Sequence, residues 1–178
     1  KREQVNDYLK KLDQNERKIL RDLGVKFGRY HVFLFRLIKP EAVTLRTLLW
    51  KNFHQKFFNL KPPTFGLNFL DSDSTNYNND KFMLLCGFEK FNNFFVRIDI
   101  LERLFRQIIS SGDDKTNEIK MTPEMLNLLG CSKDKFKKLI NSMGYKTIEK
   151  NDELFFKYLP KRNKNKNDFK MKNKNSPF

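Results

Sequence analysis

Cysteine is scarce in this chain, and its two residues, Cys86 and Cys131, are too few for a disulfide framework. They also lack the spacing of metal ligands. Because both lie in apolar stretches, we expect buried, inert thiols, as is usual in a reducing cytosol. No apolar run approaches the length of a membrane span, and no signal-peptide pattern is present. These absences predict a soluble intracellular chain without a membrane partner.

Glycine is also scarce, and its seven residues are scattered among expected turns and helix ends. Neither a GxxxxGK[ST] phosphate-binding loop nor a GxGxxG motif occurs. His31 and His54 have no acidic or cysteine neighbours at ligand spacing. Asp99 and Glu102 are better explained as charges near a helix start than as an acid/base pair. The sequence therefore predicts a binding module with no catalytic site, no metal and no cofactor of its own.

Acidic residues are outnumbered, since 36 Lys and Arg against 21 Asp and Glu give a net charge of +15. Residues 1–60 carry +8 (14 basic, 6 acidic), residues 61–132 carry −2 (8 and 10) and residues 133–178 carry +9 (14 and 5). Two basic ends around a near-neutral middle favour a polyanionic partner. An AT-rich genome also raises the lysine content, so the positions of the charges matter more than their number.

The N-terminal part has helical periodicity with short strand-like runs. Apolar residues over 3–23 predict one amphipathic helix, ended by Gly24. Residues 28–35, GRYHVFLF, predict a buried strand or an extended segment. Pro40 opens a second predicted helix. The predicted buried stripe of that helix consists of Ala42, Leu45, Leu48, Leu49, Trp50, Phe53 and Phe57.

The middle of the chain alternates between polar loops and apolar runs. A polar loop is expected over 71–80, and two short strands over 82–98 with a turn at 90–93. An amphipathic helix is predicted from Asp99 to Ser110, followed by a loop over 111–118.

Residues 121–158, MTPEMLNLLGCSKDKFKKLINSMGYKTIEKNDELFFKY, are the most informative stretch. They predict a helix at 123–129, a tight turn, a second helix at 133–143 closed by Gly144, and two strands around Asn151–Asp152. Helix, turn, helix and β-hairpin is the winged-helix pattern, which is often used to contact nucleic acid.

The predicted fold class is therefore α+β and mainly helical. A helical part with short strands (1–95) precedes a winged-helix unit (96–160). Residues 161–178 form a basic tail with seven basic residues, one acidic residue and five Asn. Such a segment cannot bury enough apolar surface to fold alone.

The second helix of a helix-turn-helix presents its exposed face to nucleic acid. The predicted contacts are Lys133, Lys137, Lys138 and Asn141 on this helix, Lys146 and Lys150 on the hairpin, and Lys161 and Arg162 in the tail. Lysine suits phosphate contacts, which provide affinity without sequence information. No arginine, the usual reader of guanine edges, stands on this helix. A winged helix that serves as a rigid spacer, with the tail as a solvated linker, remains an alternative.

Three segments together resemble one protein family. They are LGVKFGRYHVFLFRLIKPEAVTLRTLLW (23–50), GFEKFNNFFVRIDILERL (87–104) and MTPEMLNLLGCSKDKFKKLINSMGYK (121–146). They look like the region behind the motor domains of bacterial superfamily 2 helicases, DExH-type relatives of the mitochondrial RNA-degradosome helicase. The final SPF (176–178) resembles a short motif near the end of such proteins.

The resemblance implies a parent protein in the bacterial cytoplasm that unwinds RNA or RNA/DNA hybrids. Its motor domains would precede Lys1 and would hold ATP and Mg²⁺. In related helicases the C-terminal region helps to wall the channel through which the single strand leaves. Since this chain has no ATPase motif, no catalytic residue carries over to it.

Residues and resemblance together predict a nucleic-acid-binding accessory region, monomeric, with RNA favoured and the motor domains as a partner in cis. One alternative is a free-standing winged-helix regulator, which would bind specific duplex DNA sequences as a dimer. A second is a protein-docking module, which would expose an apolar patch in the Phe-rich N-terminal part.

Overall fold

The computed structural model describes residues 1–55, 59–72, 79–112, 118–150 and 153–158. The helices are α1 (Arg2–Lys11), α2 (Gln14–Asp22), α3 (Pro40–Phe53), α4 (Asp80–Leu85), α5 (Ile98–Ser110), α6 (Pro123–Leu129) and α7 (Lys133–Ser142), with a 3₁₀ turn at Phe35–Ile38. The strands are β1 (Val25–Phe27), β2 (Val32–Leu34), β3 (Phe69–Asp71), β4 (Phe88–Phe91), β5 (Phe94–Arg97), β6 (Glu118–Lys120), β7 (Tyr145–Lys150) and β8 (Glu153–Tyr158). They pair antiparallel in the orders β1-β2, β3-β5-β4 and β6-β8-β7. The chain is thus a mixed α+β protein, as the sequence predicts at this coarse level.

The single helix predicted over 3–23 is wrong, because Asp13 separates α1 from α2. The Asp13 side chain accepts a hydrogen bond from the Glu16 N–H (2.7 Å), and the Glu16 side chain accepts one from the Asp13 N–H (2.9 Å). This capping box satisfies free amides at the start of α2 and favours a new helix over continuation of the old one. Gly24 follows α2 with φ +93°, as predicted for a helix end.

Strand β5 is central in its sheet, and its residues alternate between two hydrophobic cores. Phe95 enters the first core, which α3 and α4 cover, while Phe94 and Val96 enter the second, built from α5, α6, α7 and the β6-β8-β7 sheet. Because both faces of this strand are covered, its residues 94–96 form an unbroken apolar run. The predicted boundary between residues 95 and 96 lies within this strand.

Residues 82–85, predicted as strand, form α4 instead. The Asn79 side chain accepts a hydrogen bond from the Phe82 N–H (2.9 Å) and so caps this helix, and Gly87 adopts φ +89° at the turn into β4. A short apolar run is compatible with either a buried strand or a buried helical turn. Here the Asn79 cap favours the helix. The hairpin predicted around 90–93 is confirmed as β4–β5.

Glu102 of α5 holds the loop that precedes β2. Its carboxylate accepts hydrogen bonds from the backbone N–H groups of Arg29 (2.5 Å), Tyr30 (2.8 Å) and His31 (2.9 Å). Because these amides point at a carboxylate and not at a neighbouring strand, the strand predicted over 28–35 is limited to Val32–Leu34. The sequence reading of Glu102 as a helix-start charge missed this role.

Helix α3 begins at Pro40 as predicted, but most of the stripe predicted to be buried is exposed. Val43 and Thr47 are buried and Trp50 is half-buried. Four residues of the predicted stripe are instead exposed, namely Leu45 (57%), Leu48 (59%), Leu49 (60%) and Phe53 (83%). Phe57 lies outside the described residues. Within the described ranges, no helix has the length and apolar character needed to cross a membrane.

Candidate nucleic-acid interface

The elements predicted over 121–158 are confirmed within a residue or two. Helix α6 starts with Pro123 in its first turn and ends at Gly130, whose left-handed conformation (φ 70°, ψ 40°) reverses the chain. The Ser132 side chain then accepts a hydrogen bond from the Lys135 N–H (3.4 Å) and caps α7. The predicted turn at Asn151–Asp152 lies outside the described residues, but β7 and β8 pair on either side of it.

The inner face of α7 holds the helix on the second core. Phe136, Leu139 and Ile140 have no exposed surface, and the Phe136 ring meets Phe156 of β8 edge-on at 5.9 Å between centroids. Since these residues occupy one side of the helix, the other side faces solvent.

The predicted contact residues of α7 lie along this outer side. At 100° per residue, Lys133, Lys137, Asn141 and Lys138 fall within an arc of about 140°. Lys133, Lys138 and Asn141 are exposed and Lys137 is half-buried. Asp134 is the acidic residue on the same arc, so the arc has a net positive charge.

Part of this arc is turned toward strand β7. Lys137 Nζ lies 2.7 Å from Glu149 Oε1, and Asn141 Oδ1 accepts a hydrogen bond from Thr147 Oγ1 at 3.3 Å. The hydrogen bond from Lys137 lowers the pKa of Glu149, and the nearby charge of Lys133 lowers it further. Because both partners are accessible to water, the ion pair is weak and can exchange for another anion.

The hairpin lysines do not share the surface of α7. Side chains alternate between the faces of a strand, and Thr147 and Glu149 of β7 contact α7, so Lys146 and Lys150 lie on the opposite face. Lys150 forms an ion pair with Glu118 of β6 at 2.7 Å. The structure therefore brings the four α7 residues together and separates the two hairpin lysines from them. Lys161 and Arg162 lie outside the described residues.

Two contacts fix α7 and α6 to the N-terminal part of the chain. Lys135 Nζ lies 3.2 Å from Asp71 Oδ2 of β3, and Asn68 Nδ2 donates a hydrogen bond to the Leu128 carbonyl (3.0 Å). Sequence reasoning did not single out Lys135. Its partner Asp71 lies 64 residues earlier in the chain, in strand β3. No local pattern in the sequence could have indicated this ion pair.

A second polar cluster surrounds Glu89 of β4. Its carboxylate lies 3.0 Å from His31 Nε2 and 2.5 Å from Lys1 Nζ. Burial raises the pKa of Glu89, but the hydrogen bonds from His31 and Lys1 outweigh burial and bring this pKa below its ordinary value. His31 is buried, and its acidic partner comes from 58 residues away.

The two cysteine thiols are poor nucleophiles near neutral pH. Burial raises the pKa of the Cys86 thiol to about 12 and that of the Cys131 thiol to about 11. Cys86 is buried, as predicted, and Cys131 is half-buried. Across the described ranges, no three His, Cys, Asp or Glu side chains come together as a metal site.

Comparison with protein-family models, curated proteins and solved structures gave no match to this chain.

Proposed function

We propose that residues 98–158 form a winged-helix unit that binds the backbone of nucleic acid. The order α5, β6, α6, α7, β7, β8 and the sheet order β6-β8-β7 support this assignment, because three helices with a C-terminal hairpin are the parts of such a unit. In this arrangement α7 is the second helix of the helix-turn-helix.

The outer arc of α7 is the observation that carries the proposal. Its three lysines and Asn141 point away from the core on a helix that the core and β7 hold in place. Lysines bind phosphates without reading bases, so we expect tolerance of sequence and a steep salt dependence. The weak Lys137–Glu149 ion pair would open to let Lys137 meet a phosphate. Lys146 and Lys150 lie on the opposite face of β7, so they would form a separate basic surface and not an extension of the α7 arc.

We further propose that the chain serves an ATP-dependent helicase and guides the strand leaving its motor domains. The resemblance of residues 23–50, 87–104 and 121–146 to the region behind such motors supports this role. ATP and Mg²⁺ would bind in the motor domains, which would be the partner in cis. RNA is the favoured strand, the chain would act as a monomer, and the bacterial cytoplasm is the proposed location.

Fluorescence anisotropy with labelled single-stranded RNA, single-stranded DNA and duplex DNA tests the interface. The experiment compares the intact chain with the double variant Lys133→Glu/Lys138→Glu across a salt series. The matched control is Lys61→Glu/Lys81→Glu, which changes the net charge equally at two exposed lysines outside this unit. Losing two phosphate contacts should flatten the slope of log affinity against log salt by about 1.4 for a single strand.

The proposal requires the α7 variant to bind at least about tenfold more weakly than the control variant. Equal loss in the two variants would mean that net charge alone attracts the polyanion. Binding that disappears in a chain ending at Pro160 would place the contacts in the basic tail. Preference for one duplex sequence would favour the free-standing regulator.

A further inference from the structure

Helix α3 has apolar residues on two opposite sides. One side faces the first core, where Val43 is buried and the Trp50 ring lies 5.5 Å from that of Phe82. The other side carries Leu45, Leu48, Leu49 and Phe53, all more than half exposed and spaced as one helical stripe. An apolar side of a helix is normally buried against another element.

The apolar surface continues from α3 onto the adjoining 3₁₀ turn. Arg46 Nη1 donates a hydrogen bond to the Leu37 carbonyl (3.2 Å), which holds the turn against the helix. Phe35 and Leu37 of this turn are about 40% exposed. A cavity of about 430 Å³ opens beside them, lined by Leu34, Leu37, Ile38 and Arg46 among others. Exposed apolar residues grouped in this way mark interaction sites.

The charges around this surface are almost all positive. Residues 34–53 contain four basic side chains and one carboxylate, that of Glu41. The basic residues are Arg36, Lys39, Arg46 and Lys51. Within the described part of the chain, none of these four cations forms an ion pair. On the helical wheel Arg46 and Lys51 flank the stripe on its two sides, while Glu41 falls within it. Lys51 Nζ lies 5.8 Å from the ring centroid of Phe82 and Arg46 donates to the Leu37 carbonyl, so both side chains would turn outward to meet a carboxylate. The β6-β8-β7 sheet differs, because two of its lysines, Lys120 and Lys150, already have carboxylate partners.

We propose that the outer face of α3 is a docking site for an amphipathic helix of another protein that is apolar along one face and acidic along its edges. Spacing of the stripe at i, i+3, i+4 and i+8 matches the side that one helix presents to another. Carboxylates on the partner would form ion pairs with Arg46 and Lys51, which have no carboxylate partner among the described residues of this chain. A second copy of this chain fits poorly, since two identical basic rims would face each other.

This docking site is independent of the proposed nucleic-acid interface. Helix α3 covers the core on one face of the β3-β5-β4 sheet, whereas α7 belongs to the core on the other face. Failure of one proposal therefore leaves the other standing.

Two fluorescein-labelled helical peptides of about 18 residues test the proposal on the full chain. Both carry leucines with the i, i+3, i+4, i+7 spacing, and the flanking positions are glutamate in one peptide and lysine in the other. The acidic peptide should bind at least about tenfold more tightly than the basic one. Leu45→Gln/Leu49→Gln should abolish this binding, whereas Ile109→Gln, which changes an equally exposed apolar residue of α5, should not.

Arg46→Glu should reduce the preference for the acidic peptide, which separates the charge contribution from the apolar one. Equal binding of the two peptides, or binding that the leucine variant leaves intact, would overturn the proposal. A concentration-dependent dimer in sedimentation velocity, lost in the leucine variant, would also overturn it, because a second copy would then occupy the face. Circular dichroism of each variant checks that these exposed substitutions leave the fold intact.

Discussion

Replacing Gly28 with alanine tests whether Glu102 organises the loop of residues 28–31. A Cβ atom at position 28 would lie well inside 3.0 Å of the Glu102 carboxyl group, a distance that real Cβ atoms essentially never show. The φ of Gly28 is outside the left-handed region, so alanine brings no backbone strain of its own. The effect of Gly28→Ala should therefore arise from displacement of the carboxylate.

The magnitude follows from the hydrogen bonds that the carboxylate accepts. Hydrogen bonds to a charged group contribute about 1.5–3 kcal/mol each and are not additive, so losing three suggests about 3–5 kcal/mol for Glu102→Ala. Gly28→Ala, which shifts the carboxylate without removing it, should cost about 2–4 kcal/mol. In the Glu102→Ala background, Gly28→Ala should cost less than about 1 kcal/mol, because the carboxyl group that the new Cβ would clash with is absent.

Urea unfolding followed by far-UV circular dichroism gives the free energies of unfolding for this double-mutant cycle. A coupling of about 2 kcal/mol or more between the two positions is expected. Gly112→Ala serves as the control, because a Cβ there meets its nearest atom at an ordinary 3.6 Å, and it should change stability by no more than about 0.5 kcal/mol. If the two substitutions are additive, or if Gly28→Ala is as mild as the control, the carboxylate does not organise this loop.

Three further predictions concern single side chains. Burial raises the pKa of Glu89, but the hydrogen bonds from His31 and Lys1 hold it below its ordinary value in the folded protein. The contribution of Glu89 to stability is therefore complete above the unfolded pKa and is lost as the pH falls through the folded value. Glu89→Gln should therefore flatten the fall in urea midpoint as the pH drops below the ordinary pKa of glutamate, and an unchanged pH dependence would contradict this. Ser132→Ala removes the cap of α7 and should cost about 0.5–1 kcal/mol in the same assay, while Ser132→Asp should be close to neutral; equal losses would argue against capping. With thiol pKa values near 12 and 11, Cys86 and Cys131 should react slowly with maleimide at neutral pH, and mass spectrometry should find the half-buried Cys131 labelled first.

Local signals in the sequence were enough to predict the helices and strands within residues 121–158, although strand β6, which precedes them, was not predicted. Pro123 and Gly130 bound α6, and Ser132 and Gly144 bound α7, through backbone preferences that act within a few residues. The hairpin follows from two strand-like runs on either side of Asn151–Asp152. The class of the fold and the outward side of α7 therefore needed no tertiary information.

Other features depend on partners distant in the chain. Residues 28–31 form a loop and not a strand because Glu102, more than 70 residues later, accepts hydrogen bonds from their backbone. His31 likewise contacts an acidic partner, Glu89, that is distant in the chain. Residues 82–85 could be strand or helix until the Asn79 cap and the covering sheet decided between them. No periodicity can indicate such pairings, because each depends on which surfaces the folded chain brings together.

The sequence by itself determined which segments are helices near the C-terminus, and which lysines stand on the outer side of α7. Only the tertiary structure decided which of two apolar sides of α3 is buried, since Val43 and Leu45 are equally suited to a core. It also decided that Lys146 and Lys150 face away from α7, because the contacts of Thr147 and Glu149 set the orientation of β7. Periodicity shows that a helix or strand has two sides, but contacts between elements determine which side faces the core.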